Sequence, residues 1–276
     1  MRKCVVFLAM AGALVGAAPA VGDGGPPQNA TQGWDGATAG AVRYVAVPTP
    51  GWTSLEVIKR NGGRVIRWTN FKGDWGIPFV TTDAPREAVL RDGRTIVLGN
   101  VTYGLKLRKE SAFLFVDTYR MRVKRTIHLH GHFVFDAVSP DARFLYLTEY
   151  VSPDNFSAYR VRAYDLRTNR LLSKIVSDRR SWETTMQGWP VSRVNRSGWA
   201  FTLYSTGSRP FIHALDTRHA AAVCINLPWA KEPRWIYDYR LGFDRAGHLV
   251  VRGRHGRALV AVERGPLRIL SSVSIR

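Results

Sequence analysis

Residues 88–98 read AVLRDGRTIVL, and residues 137–147 read AVSPDARFLYL. Each stretch is a short apolar run, a turn that begins with aspartate, and a second apolar run. Asp-Gly between β-rich runs is a strong hairpin signal, because glycine accepts a positive φ without steric cost. Weaker copies of the motif turn at Ser197-Gly198 and at Ala246-Gly247. The chain therefore carries a hairpin that recurs about every fifty residues.

A second hairpin follows each of these turns. An alternating strand ends in an acidic residue, and another apolar run begins about six residues later. The copies with an acidic end are residues 113–117, 161–165, 212–216 and 259–263, and an earlier copy, 55–59, ends in lysine. Two hairpins in about fifty residues make one four-stranded sheet, which cannot bury both of its faces alone.

Such sheets bury their faces when they pack radially around an axis, which leaves only short edges exposed. No segment shows a sustained helical period. The sequence therefore predicts an all-β protein, a β-propeller of four-stranded blades. Five copies predict five blades, with six as the alternative, and one domain over residues 42–276. How the ring closes stays open, with residues 271–275 as one candidate closing strand.

The first residues have the layout of a secretory signal. Arg2 and Lys3 precede an apolar run over residues 5–18, and Ala18-Pro19-Ala20 has the small-x-small pattern of a cleavage site. We expect cleavage after Ala20, since the run is shorter than the ~20 residues of a membrane-spanning helix. The alternative is an uncleaved anchor. Residues 1–20 are thus the predicted signal peptide, and residues 21–41, rich in Gly, Pro, Ala and Thr, the predicted flexible tether.

The mature protein is expected to be secreted or held at the cell surface, with no membrane span. It retains a single cysteine, Cys224, so no intramolecular disulfide can form. We interpret Cys224 as a small buried apolar residue.

Positive charge is the strongest property of the composition. The formal net charge is +19, and only eight of the forty basic residues are lysine. Such an excess favours an anionic partner, and arginine offers a planar fork that suits phosphate and carboxylate. The charges are dispersed along the chain, so solvated surface charge explains many of them. An anionic cell-envelope polymer or a protein is the expected partner, with nucleic acid less favoured and the oligomeric state open.

Several stretches resemble a group of exported actinobacterial propeller-repeat proteins. They are residues 133–141 (FVFDAVSPD), 159–165 (YRVRAYD), 201–204 (FTLY) and 211–216 (FIHALD). The likeness covers roughly residues 52–276, and it extends more distantly to surface-layer-type propellers with a valine-aspartate strand signature. It implies the propeller architecture and supplies no catalytic residues. Two turns depart from the usual repeat, since Asp141-Ala142 replaces Asp-Gly and Arg196-Ser197-Gly198 lacks the aspartate.

Tryptophan is concentrated in the segments expected to link one blade to the next, roughly residues 68–84, 127–135, 177–190 and 227–241. In propellers these links share one face of the ring. An indole offers a flat apolar surface with one donor, suited to stacking on sugar rings, and a neighbouring arginine can bind carboxylate or phosphate. The predicted ligand-binding residues are Trp75, Trp182, Trp189, Trp229, Trp235, Arg179, Arg180 and Arg234. The structural alternative is that these tryptophans wedge neighbouring blades together.

His128, His130 and His132 form the only weak candidate for a metal site. On one extended strand they would share a face and could hold zinc or copper. Gly131 interrupts the run, and no acidic partner is evident, so we predict no metal and no cofactor.

Enzyme motifs are missing from the sequence: it has no Gly-x-Ser-x-Gly, no His-Glu-x-x-His and no phosphate-binding glycine loop. The favoured hypothesis is a non-enzymatic binding scaffold whose tryptophan- and arginine-bearing face recognises an anionic envelope polymer or protein. One alternative is a glycan- or lactone-directed hydrolase or lyase on the same face, using two of the carboxylates Asp74, Asp178, Glu183, Glu232 and Asp238. The other alternative is a structural surface module. The enzyme question therefore stays open, with the balance against catalysis.

Overall fold

A computed structural model describes residues 30–101, 107–178, 180 and 184–273. Within these ranges the chain forms 22 strands and two short 3-10 helices, Pro85–Ala88 and Ile236–Asp238. The all-β prediction is confirmed. The predicted signal peptide lies outside the described residues, as do Trp182 and Arg179. None of the helices in the described ranges is long and apolar enough to cross a membrane.

The strands form five antiparallel sheets, which we number 1 to 5 in chain order. Sheet 1 contains β2 (Gly33–Ala39), β3 (Val42–Thr49), β4 (Trp52–Lys59) and β5 (Val65–Lys72). Sheet 2 contains β6 (Trp75–Pro78), β7 (Thr95–Asn100), β8 (Glu110–Asp117) and β9 (Arg122–His130), and β1 (Ala30–Thr31) pairs with β6 as a fifth strand.

Sheet 3 contains β10 (His132–Val138), β11 (Phe144–Tyr150), β12 (Ala158–Asp165) and β13 (Arg170–Ile175), and β14 (Met186–Gln187) pairs with β12. Sheet 4 contains β15 (Trp189–Arg196), β16 (Trp199–Ser205), β17 (Phe211–Asp216) and β18 (Ala221–Asn226). Sheet 5 contains β19 (Arg240–Phe243), β20 (Leu249–Arg252), β21 (Ala258–Glu263) and β22 (Arg268–Ser272). Of the segment 271–275, which was expected to close the ring, Ser271 and Ser272 belong instead to the fourth strand of their own sheet, and residues 274 and 275 lie outside the described residues.

The acidic residue that ends the third strand of a sheet has a local role. The carboxylates of Asp117, Asp165 and Asp216 each accept hydrogen bonds from the backbone N–H groups two and three residues further on. These bonds satisfy donors that the tight turn would otherwise leave free. The repeated acid in the sequence is therefore a turn-forming residue.

The two degenerate turns keep the hairpin shape by different means. Ala142 adopts a φ of 54°, which costs a residue with a Cβ some strain. The Ser139 hydroxyl compensates, because it accepts hydrogen bonds from the backbone N–H groups of Arg143 and Phe144. In the other turn, Ser197 and Gly198 both have positive φ. Side-chain hydrogen bonds thus replace the missing glycine in sheet 3.

Large apolar clusters join each sheet to the next one along the chain. Leu55 of sheet 1 and Leu98 of sheet 2 belong to one cluster, and others join sheets 2 with 3, 3 with 4 and 4 with 5. Between sheets 3 and 4, the rings of Tyr159 and Tyr204 stack with their centroids 5.2 Å apart. Both faces of sheets 2, 3 and 4 are therefore packed against a neighbouring sheet, as a four-stranded sheet requires when it cannot bury both of its faces alone.

The segment between β6 and β7 leaves its sheet and contacts the first strands of sheets 3 to 5. Glu87 accepts a hydrogen bond from Arg193 Nε at 2.7 Å, and Arg193 Nη1 donates to Asp136 at 2.7 Å. Asp83 accepts from Ser192 and lies 3.9 Å from Arg240. We call Glu87, Asp136 and Arg193 the central ion cluster. It holds together the strands that begin sheets 3 and 4.

Candidate functional site

A groove with a volume of about 1310 Å³ opens where the links on either side of sheet 4 meet. Its walls come from β14, the start of β15, the loop between β16 and β17, the end of β18 and the segment before β19. Many of its lining side chains carry hydroxyl or amide groups, among them Ser157, Gln187, Ser208 and Asn226. We call it the link groove. Hydroxyl and amide groups of this kind match those of a sugar chain.

Arg180 lies on the wall of this groove, fixed by an adjacent carboxylate. Its guanidinium donates to both oxygens of Asp178, the shortest bond being 2.7 Å, and to the carbonyl of Cys224 at 2.9 Å. Asp178 is 7% exposed, whereas the Arg180 side chain is 63% exposed. One partner is therefore anchored in the protein while the other faces the solvent.

The Asp178 carboxyl is ionised under all ordinary conditions. Burial alone would raise its pKa, but hydrogen bonds from the Arg180 side chain and from the Cys224 backbone N–H outweigh burial and lower the pKa to about 2. Burial raises the pKa of the Cys224 thiol to about 11, so this cysteine is a poor nucleophile at neutral pH.

Glu232 shapes the opposite side of the groove. Its Oε1 accepts from the Ser205 hydroxyl at 2.8 Å, and its Oε2 accepts from the backbone N–H groups of Thr206 and Gly207. Both carboxylate oxygens are thus used to hold the loop that carries Arg209. A carboxylate bound in this way positions the loop.

Two exposed or half-buried aromatic side chains, Trp189 and Tyr237, line the groove, and Trp235 lies in the adjacent link outside the lining. Trp189 is half-buried at the start of β15, and Tyr237 is exposed, with its hydroxyl donating to Ser205 at 3.3 Å. Trp235 is 52% exposed, and the guanidiniums of Arg234 and Arg254 lie 5.0 and 5.3 Å from the ring centroid. These cation–π contacts hold an indole ring in place at the surface.

The predicted site residues that the structure describes lie in several different places. Arg180 and Trp189 line the link groove, and Trp235 and Arg234 lie in the link next to it. Trp229 is 5% exposed and packs edge-on against Tyr239, so it wedges sheets 4 and 5 together.

Trp75 begins β6 in sheet 2, with its indole N–H bonded to the Lys72 carbonyl at 2.7 Å. Trp75 therefore lies in a different sheet from the groove. Two of the expected links are shorter than predicted. Residues 68–72 belong to β5, and only Gly131 separates β9 from β10.

The three histidines do not share one strand face. His128 and His130 are exposed on β9, whereas His132 begins β10 and is buried. Gly131, with a φ of 118°, ends the first strand between them. Burial lowers the pKa of His132 to about 4, and its Nδ1 accepts from the backbone N–H of Arg108. The expectation of one metal-binding face is wrong, and no metal-ligand cluster occurs among the described residues.

Sequence reasoning missed the central ion cluster. Glu87, Asp136 and Arg193 are far apart in the chain, and no local pattern in the sequence relates one of them to another. The only available sign of the cluster in the sequence was a charged residue, Asp136 or Arg193, within a strand expected to be buried as the first of its sheet. Tyr237 and Arg209 were missed as well, because nothing in their local sequence distinguishes them from ordinary surface residues.

Neither a protein-family model nor a curated protein sequence matches the chain. Solved structures do match. The Kuenenia stuttgartiensis hydrazine synthase superimposes with a TM-score of 0.52 at 14% identity, over 83% of this chain and 70% of that one. The dihydro-heme d1 dehydrogenase NirN in complex with DHE gives 0.50 at 12% identity, over 87% of this chain and 45% of that one. A structure described as the Dos1 propeller gives 0.48 at 13% identity, over 86% and 56%.

The likeness is one of fold. The chain spans less than half the length of the dehydrogenase, and identities of this size say nothing about activity. Four-stranded antiparallel sheets packed in chain order are the architecture of a β-propeller, as the repeat predicts. The resemblance to exported actinobacterial propellers and to surface-layer repeats stays a prediction. The sheets begin before the predicted boundary at residue 42, because β1 and β2 lie within the predicted tether 21–41 and Ala37 of β2 is buried in the core.

Proposed function

We propose that the protein is an exported, five-bladed β-propeller that binds an anionic cell-envelope polymer in the link groove without transforming it. The observation that carries the proposal is the composition of the groove. Exposed arginines and aromatic rings border it, while both of its carboxylates are engaged in hydrogen bonds with the protein itself. Five sheets, each with four principal strands, support the count of five blades.

The charge of the protein supports an anionic ligand. Arg180, Arg209 and Arg268 line the groove against Asp178 and Glu232, which leaves a local excess of positive charge. The formal net charge of +19 adds a long-range attraction for polyanions. Hydroxyl groups on the wall can bind the sugar or polyol units between the anionic groups.

Trp235 supplies the second element of recognition. Its ring is 52% exposed, and the guanidiniums of Arg234 and Arg254 lie against it, so a sugar that packs on the open part of the indole also meets positive charge. The exposure of Trp235 also disfavours the purely structural alternative, in which the tryptophans would all be buried between sheets.

The hydrolase or lyase alternative rests on Asp178 and Glu232, the two carboxylates that line the groove. A glycosidase needs one carboxyl with a raised pKa as the acid and a second as base or nucleophile. The pKa of Asp178 is lowered to about 2, and Glu232 accepts three hydrogen bonds from the loop. Binding without turnover is therefore the better account of the groove.

The test is a binding titration of the purified chain against polygalacturonate, a polyglycerol phosphate and a neutral glucan, with product analysis in parallel. We expect the two polyanions to bind and the glucan to bind at least tenfold more weakly, with affinity falling steeply as salt rises. Trp235→Ala should weaken binding roughly tenfold. Trp68→Ala is the matched control, because Trp68 is 62% exposed on β5 of sheet 1.

Salt-insensitive binding, or equal losses in the two tryptophan variants, would remove the link groove as the site. Formation of shortened product that Glu232→Gln abolishes would replace the scaffold with the enzyme alternative.

A further inference from the structure

A second cavity, of about 780 Å³, lies at the other end of sheet 4. It is enclosed by the turn 139–142 of sheet 3, the turn 196–198 of sheet 4 and the segment 87–92. Strand β15 runs from Trp189 in the link groove to Arg196 in this cavity, so the two sites are roughly 23 Å apart at ~3.3 Å per residue. We call it the turn cavity. Its volume is within the usual range for a small-molecule site.

The Glu87 carboxyl in this cavity has one oxygen without a partner. Its Oε1 accepts from Arg193 Nε at 2.7 Å and from Asn195 Nδ2 at 2.6 Å, whereas Oε2 is buried and accepts no hydrogen bond. The side chain is only 8% exposed. A buried polar atom without a partner is costly and calls for an explanation. Protonation of the carboxyl would provide one, because a neutral acid costs less to bury than an unpaired anionic oxygen.

Three arginines line the same cavity, namely Arg91, Arg196 and Arg218. None of them forms an ion pair within the described part of the chain. Arg218 lies across Gly198, whose ideal Cβ position is 2.5 Å from Arg218 Nε, and the Arg196 guanidinium lies 4.8 Å from the ring centroid of Phe243. These contacts orient the arginines without neutralising them.

The acidic residues of the lining are already used by the turns. Asp92 accepts from the backbone N–H groups of Arg94 and Thr95 and from the Thr95 hydroxyl. Asp141 accepts from the Ser139 hydroxyl and from the Arg143 backbone N–H. Their charges reduce the local potential, but their oxygens are satisfied by the protein. The cationic groups are therefore the ones left for a ligand.

We propose that the turn cavity is a second binding site, specific for a small hydroxylated ligand that carries an oxyanion, either a carboxylate or a phosphate. The oxyanion lies among Arg91, Arg196 and Arg218, near the buried Glu87 carboxyl, which is protonated when the anion is bound. Trp199, half-buried on the wall, packs against the apolar side of the ligand. This site is separate from the link groove and does not depend on the polymer.

Protonation of Glu87 follows from its surroundings. Burial raises its pKa to about 7, although Arg193 opposes the shift and Asp136 adds to it. The other charged groups near this segment are Asp83, which bonds to Ser192, and Arg240, which lies against Asp83. An anion bound beside Glu87 raises its proton affinity further. Binding of the oxyanion is therefore coupled to uptake of one proton.

The experiment is isothermal titration of the full chain with glucuronate, glucose 6-phosphate and glucose at pH 5.5 and pH 8.5. We expect one or both anions to bind and glucose to bind at least tenfold more weakly. The anion that binds more tightly shows whether the site prefers a carboxylate or a phosphate. The charge of glucuronate is constant over this range. Its affinity should be on the order of thirtyfold lower at pH 8.5 than at pH 5.5, because a group with a pKa of about 7 is only about one-thirtieth protonated at pH 8.5.

Glu87→Gln is uncharged at every pH, as the protonated acid is, so its affinity for glucuronate should be retained and should not change with pH. Arg196→Ala combined with Arg218→Ala should lower affinity at least tenfold, and the melting temperature of each variant checks its folding. Trp235→Ala should leave this binding intact, which separates the result from the polymer test. Absence of anion binding at millimolar concentration, or the same pH dependence in Glu87→Gln as in the wild type, would overturn the proposal.

Discussion

The central ion cluster and the link groove both contain an arginine paired with a carboxylate at 2.7 Å, but the two pairs differ in burial. The Arg193 side chain is 1% exposed, whereas that of Arg180 is 63% exposed. Arg193 has given up its contact with water and depends on Glu87 and Asp136. Arg180 keeps one side toward the solvent, where a ligand can reach it. The same chemistry therefore serves assembly in one place and recognition in the other.

The sharpest way to test this contrast is to remove the arginine from each pair. Arg193→Met leaves Glu87 and Asp136 buried without their cation, and breaking a buried pair in this way costs about 3–5 kcal/mol of unfolding free energy. Arg180→Met, the matched comparison, should cost less, about 1–2 kcal/mol, since the Arg180 side chain is exposed and the buried Asp178 carboxylate keeps its hydrogen bonds from the backbone N–H groups of residue 180 and Cys224. Urea unfolding of the two variants measures both. Equal losses would mean that burial does not separate the two pairs.

A second test uses two tryptophans from the same link. Trp229→Ala removes a ring that packs against Tyr239 between sheets 4 and 5, and should cost on the order of 3 kcal/mol. Trp235→Ala removes a ring that is 52% exposed and should change stability by less than about 1 kcal/mol. Thermal and urea unfolding provide the comparison. A large loss in Trp235→Ala would assign this residue to packing and remove it from the polymer site.

The sequence could predict the sheets but not this division of roles. The hairpin signals around Asp92 and Asp117 are local, because the turn and its two strands lie within about a dozen residues. They predict the strand order in each sheet and the all-β fold. The contacts of Arg193 join residues that are 57 and 106 positions apart. Such distances require the packed structure, since no local pattern records them.

The candidate site was predictable only in part for the same reason. A tryptophan in a link segment is visible in the sequence, but its exposure depends on the neighbouring sheet. Trp229 and Trp235 are six residues apart, yet one is in the core and the other at the surface. The three histidines do not share the strand face that a period of two predicts, because the chain passes at Gly131 from β9 of sheet 2 to β10 of sheet 3.

A third test uses the pH dependence of the unfolding free energy to measure how far burial raises the pKa of Glu87. Because its pKa rises from 4.5 to about 7 on folding, its contribution to stability is fully present below pH 4.5 and is lost as pH rises through 7. Between pH 5 and pH 8 the wild type should lose on the order of 2–3 kcal/mol more than Glu87→Gln.

His132 and His213 act in the opposite direction, because burial lowers both of their pKa values to about 4. Their stabilisation is present above pH 6.5 and is lost as pH falls toward 4. It occurs in both proteins and cancels in the difference between wild type and Glu87→Gln. Parallel stability curves for the two proteins would show that the Glu87 carboxyl does not titrate in this range.

The smallest effect is expected when the acid of the Asp178–Arg180 pair is replaced. Asp178→Asn keeps an oxygen for the Cys224 backbone N–H but removes the charge that holds Arg180, at a cost of about 1 kcal/mol. The groove then gains one unit of positive charge, and its Arg180 guanidinium is free to turn toward a ligand. Polygalacturonate should therefore bind the variant two- to threefold more tightly at low salt, and the gain should vanish as salt screens the added charge.

Asp244→Asn is the control for this prediction, since it changes the net charge equally while its carboxylate pairs with His248 on sheet 5, outside the link groove. A gain confined to Asp178→Asn would show that the groove itself senses the added charge. An equal gain in both variants would attribute polymer binding to the overall charge of the protein. Weaker binding in Asp178→Asn would mean that the carboxylate holds Arg180 in its binding position, so that the exposed pair, like the buried one, acts as a unit.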